Sequence, residues 1–105
     1  PNPVGLLGAI YIIEGTGQRI IPALLPLLQA QLALPPNAFR FLSYHGANDE
    51  HHLSRWLNAV SMVLALDASG DASAAIVDTA RRCAELYLMQ LEDACAASSQ
   101  SNPSP

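Results

Sequence analysis

The chain predicts an all-α fold, a small up-and-down helical bundle, on three observations. From about Asn48 to Leu66, the residues Leu53, Trp56, Leu57, Val60 and Val63 or Leu64 recur at spacings of three and four, the signature of one buried helical stripe. From about Ala72 to Ala97 the pattern repeats in Ile76, Val77, Ala80, Cys83, Ala84, Tyr87, Leu88 and Leu91, while Arg81, Arg82, Glu85, Glu92 and Asp93 fall largely off that face. No alternating stretch of useful length signals a strand, and long helices joined by short loops favour a bundle.

The elements follow in order. Val4 to about Gly17 reads as one helix, nearly unbroken in its apolar character up to Glu14. Ile20 to Leu34 reads as a continuation or a second helix bent by Pro22 and Pro26, because proline removes a backbone donor and crowds the preceding turn. Pro35-Pro36-Asn37 stops it, and Ala38 to Leu42 forms a short helical turn leading to Tyr44 and His45. Asp67-Ala68-Ser69-Gly70-Asp71 is the clearest linker. Residues 1–97 form a single helical domain or half-domain, and the polar, proline-ended 98–105 reads as a disordered tail.

Composition excludes several classes. The net charge is −4, and the five basic residues are all arginines scattered along the chain, which leaves no electrostatic footprint for nucleic acid. Apolar runs are interrupted by Glu14, Gln18 and Arg19 before reaching spanning length, so no membrane helix is expected. The opening lacks the basic start and cleavage site of a signal peptide, and a cytoplasmic location follows by default. Cys83 and Cys95, twelve residues apart on one helix, are separated by about 18 Å along its axis, too far for a mutual disulfide. Half the residues are hydrophobic and only 13% are charged, more apolar surface than three helices can cover. Missing helices or a second copy, as a homodimer, should cover it.

The chemistry concentrates in His45-x3-Asp49-x2-His52. On a helix, Asp49 lies about 40° to one side of His45 and His52 about 20° to the other, so all three share a sector while His51 points elsewhere. Two imidazoles and a carboxylate suit a borderline metal such as iron, with zinc or manganese as competitors. The bland alternative is a capped, acidic first turn, Asn48-Asp49-Glu50, of a helix that leaves His45 in the preceding turn. Upstream, Glu14 sits among Leu7, Ile10 and Tyr11 at helical spacing, and a partly buried carboxylate must be protonated, paired or metal-bound. Arg19 is its bland partner.

Taken together, Tyr11-Ile12-Ile13-Glu14-Gly15, then Phe41-Leu42-Ser43-Tyr44-His45-Gly46, then Asp49-x2-His52 resembles the C-terminal half of the haem-oxygenase-like diiron oxidases and oxygenases, over about Val4 to Val63. The resemblance implies a haem-oxygenase-like bundle, here a partial half. It implies Glu14, His45, Asp49 and His52 as ligands of two Fe(II), O2 activation, and oxidation of a small organic substrate. The family also draws a Glu and a His from earlier helices, so a missing N-terminal half is expected. Tyr11, Tyr44 and Arg55 stand where they could orient ligands or touch substrate. Two other classes stay open: the cofactor-independent branch similar to thiaminase II and pyrroloquinoline-quinone synthase, using His and Glu for acid–base work, and a non-catalytic, truncated helical dimerisation domain.

Overall fold

A computed structural model describes residues 2–101, with only the backbone of Asp49 included. The chain opens in a 3-10 turn, Pro3–Gly5, where the Asn2 side chain accepts a hydrogen bond from the Val4 amide at 3.1 Å. Three helices follow: α1 (Leu6–Gln31), α2 (Arg40–Leu66) and α3 (Asp71–Ser101), with a second 3-10 turn at Pro36–Phe39 leading into α2. The all-α expectation holds, and no strand occurs among the described residues.

Helix α1 runs through both prolines instead of breaking at them. Pro22 and Pro26 lie on its exposed side, so the carbonyls they leave without an amide partner open to solvent rather than to a core. The helix ends at Gln31, three residues short of the expected Leu34, with Leu32 already extended; Pro35 and Pro36 instead start the second 3-10 turn. Helix α2 begins at Arg40, eight residues before the Asn48 start that the sequence suggests. Asn48 fails as a cap because its side-chain amide donates back to the Tyr44 carbonyl at 2.7 Å, a bond made inside a helix that has already formed. His45 therefore belongs to the same helix as His52. Helix α3 is also longer than expected, continuing through Ser98 to Ser101, where Ser99 and Ser101 hydroxyls bond back to the carbonyls of Cys95 and Ala97. Residues 102–105 of the expected tail lie outside the described region.

Helix α1 is the middle layer, with α2 and α3 each packed against it and scarcely touching one another. Against α3, Gly8 is the point of closest approach: a Cβ there would stand 2.1 Å from the Ile76 carbonyl oxygen and 2.7 Å from the Ala80 nitrogen. Against α2, Gly46 allows a close fit, since a Cβ would meet Ile21 at 3.1 Å. Gly70, at φ 82°, makes the left-handed turn that starts α3.

The layers leave much apolar surface open. Only Phe39, Ala72 and Ile76 are buried hydrophobic residues among those described. The radius of gyration is 17.6 Å, against roughly 13 Å for a compact chain of this length. The accessible surface is 7948 Å², where a compact protein of this mass would show about 5,700 Å². On α3 only the N-terminal half packs: Ile76 is buried and Ala80 and Cys83 are partly covered, but Val77, Ala84, Leu88 and Leu91 of the expected inward face are exposed. In α2, Leu57 and Leu64 of the expected stripe are exposed too.

Candidate metal centre

The candidate site lies on the antiparallel seam between α1 and α2. A single register links the two helices: the Trp56 indole N–H donates to the Leu7 carbonyl, Tyr11 packs its ring 4.8 Å from that of Trp56, and Gly46 faces Ile21. Between those contacts the same register brings Glu14 opposite His52. Their Oε1 and Nδ1 atoms are 3.1 Å apart, within hydrogen-bonding reach.

The environment of Glu14 is unusual. Its side chain is only 26% exposed, and the second carboxylate oxygen, Oε2, is buried and accepts no hydrogen bond from the described residues. A buried carboxylate oxygen without a donor is costly, of order 1–3 kcal/mol. It is the sort of cost a protein carries where a cation or substrate is to be bound. The bland partner Arg19 is exposed, and the carboxylate pairs with His52 instead.

The remaining expected residues fall as follows. His45 is partly buried and stacks on Phe41, with ring centroids 4.3 Å apart, and the Tyr44 ring meets it edge-on at 5.6 Å. It shares the face of His52 but precedes it by two turns, roughly 10 Å along the helix axis. Asp49 has its backbone in α2 between them, and its side chain lies outside the described residues. His51 is exposed, as its position predicts. Tyr11, Tyr44 and Arg55 make no hydrogen bond to Glu14: Tyr11 serves the interface with Trp56, Tyr44 is 61% exposed, and Arg55 is exposed. Among the described residues no group of three or more His, Cys, Asp or Glu converges closely enough to hold a metal ion. The structure thus joins Glu14 of α1 to His52 of α2 and sets His45 on the same face of α2 as His52.

Sequence reasoning missed two features of the seam. Trp56 is legible as a core residue, but its polar link to Leu7 is not, because a donor–acceptor pair 49 residues apart leaves no local signal. The apolar hollow beside His45 was also missed, since it draws on all three helices.

The family model for iron-containing redox enzymes matches residues 1–88. The chain belongs to this family. The match spans Glu14, His45, Asp49 and His52, together with α1, α2 and the packed half of α3. No curated protein and no solved structure matches the chain significantly. Membership in the iron-containing redox enzyme family supports a redox function and iron as the metal, in keeping with the all-helical, haem-oxygenase-like resemblance. The donor set fits that metal in kind: a carboxylate with one unsatisfied oxygen beside an imidazole, both from helices rather than loops. Cys83 and Cys95 are free thiols. No described helix is long and apolar enough to cross a membrane.

Proposed function

We propose that this chain supplies the Glu14, His45, Asp49 and His52 ligand set of a non-haem diiron, O2-activating oxidase or oxygenase that acts on a small organic substrate. The observation that carries the reading is the Glu14–His52 pair with its orphaned buried oxygen, inside a chain of the iron-containing redox enzyme family. Iron held there, as two Fe(II) in a complete site, would supply O2 activation and the oxidising equivalent for the substrate. The chain's own contribution is positional. Helix α1 presents Glu14 from an apolar face that keeps water away, and α2 presents the imidazoles at a spacing fixed by backbone hydrogen bonds. Carboxylate and imidazole ligands bind a metal in their deprotonated forms, so iron affinity falls as pH is lowered.

The test is an anaerobic Fe(II) titration with metal analysis on the chain, Glu14→Gln and His52→Ala. Saturable iron that both substitutions weaken supports the reading, and iron binding indifferent to both overturns it.

One observation favours a second reading. A carboxylate hydrogen-bonded to an imidazole is also what a metal-free acid–base site requires, as in the cofactor-independent branch of the fold. That branch predicts no dependence on iron at all. The homodimer expectation rests on a different fact, the roughly 2,200 Å² of surface beyond that of a compact chain, which is enough for an interface of standard size. The mass in solution, by light scattering on the eluting protein, decides it.

A further inference from the structure

Beside the Glu14–His52 seam, α1, α2 and the distal half of α3 line a half-open hollow of about 320 Å³. Ile13, Thr16, Ile20 and Leu24 from α1 form its floor, at steps of three, four and four residues. Phe41 and His45 border one side from α2, and Tyr87 and Leu91 border the other from α3, leaving the hollow open to solvent between them. Only Thr16, His45 and the Tyr87 hydroxyl interrupt an otherwise hydrocarbon wall.

We infer that this pocket binds an uncharged hydrocarbon group of about ten carbon atoms and presents it to His45. Its size sets the number: an apolar protein cavity of roughly 150 Å³ accommodates benzene, and this one is about twice as large. Its chemistry sets the class. No arginine or lysine lines it, so a charged group inside would lose its hydration without a partner, at a cost of several kcal/mol. A hydrocarbon group loses nothing polar on entering and gains about 25 cal/mol for each Å² of apolar surface covered. The direction follows from His45, which lines the pocket and lies on the same face of α2 as His52. A charged or polar end of the ligand would extend past His45 toward the seam or into solvent. That the bound group is the part of the substrate to be oxidised rests on the iron reading above. That the pocket binds it does not.

The experiment keeps the two apart. In protein held metal-free with a chelator, 2-naphthol is titrated while methyl resonances are followed by NMR, and Fe(II) is titrated separately without naphthol. The expected result is saturable binding with shifts concentrated at Ile13, Ile20, Ile21, Leu24, Leu42 and Leu91. Ile20→Glu, which places a carboxylate in the floor at a side chain already 45% exposed, should weaken binding at least tenfold. Leu57→Glu, at an exposed residue of α2 that does not line the pocket, should not. Shifts spread over Leu57, Met62 and Leu66 as well, or equal loss in both variants, would mean nonspecific adsorption and overturn the proposal. Absence of binding with the same methyls shifting as protein concentration rises would mean that a second copy fills the hollow, and overturns it too. Naphthol binding without iron binding would sink the iron reading alone.

Discussion

Glu14 and His52 meet across the α1–α2 seam with Oε1 and Nδ1 3.1 Å apart, while the other oxygen of Glu14 is buried without a hydrogen-bond partner among the described residues. The pair is half-made. A carboxylate retained for stability alone would be expected to have both oxygens satisfied, by Arg19 or by a tyrosine, and Glu14 has neither.

Replacing Glu14 by leucine should therefore separate stability from function. The substitution removes an unsatisfied buried oxygen at a place already lined by apolar side chains, and His52, 43% exposed on its side chain, can hydrate. In metal-free form the variant should gain about 1 kcal/mol, read from urea denaturation, and in an Fe(II) titration it should bind iron more weakly than the parent chain. A loss of stability with iron binding unchanged would make Glu14 a structural residue.

How much of this was legible in the sequence depends on distance along the chain. Helix periodicity located α2 and α3, and the seven-residue spacing of His45 and His52 placed them on one face of α2, because three- and four-residue steps are local information. Helix ends were less readable. Asn48 looks like a cap and acts as an internal residue, since the cap signal is the same side chain whether or not a helix already precedes it. The Glu14–His52 contact joins residues 38 positions apart, and it depends on a register set by Trp56 on Leu7 and by Gly46 on Ile21. None of those contacts has a local signature. The bare half of α3 was invisible for the same reason: an apolar stripe states that a face can be buried, not what buries it.

Trp56, the only tryptophan, should report on that register. Trp56→Phe keeps the ring against Tyr11 and removes the indole donor to Leu7, so a cost of about 1 kcal/mol is expected. Trp56→Ala removes the ring as well and should cost about 2–3 kcal/mol at this partly exposed site. Because Trp56 lies one turn past His52, iron binding in the parent chain should also quench its fluorescence. Quenching that persists in His52→Ala would place the metal elsewhere.

Two glycines of α1 make opposite predictions. Gly8→Ala drives a methyl into the α3 backbone at Ile76 and Ala80, which neither helix can yield without separating, and should cost about 3 kcal/mol or more. Gly15→Ala meets only Tyr11 and Leu53 side chains, at 3.8 Å or beyond, and should stabilise the helix by about 0.5–1 kcal/mol. Thermal melts of the two variants side by side decide it, and equal effects would contradict the close approach at Gly8.

The start of α3 carries a pH dependence whose sign is fixed by its hydrogen bonds. Asp67 accepts from the Ser69 hydroxyl at 2.8 Å and amide at 3.3 Å, and from the Ala72 amide at 3.0 Å. These donors, the Ser69 hydroxyl foremost, favour the charged carboxylate and hold its pKa below the ordinary aspartate value. A folded-state pKa below the unfolded one means that the stabilisation is complete above the unfolded value and fades as pH falls through the folded one. Asp67→Asn should accordingly melt below the parent chain at pH 7. The gap should narrow once the pH drops below about 4. A gap that stays constant from pH 7 to pH 3 would show that the cap works through shape alone, with the carboxylate charge playing no part.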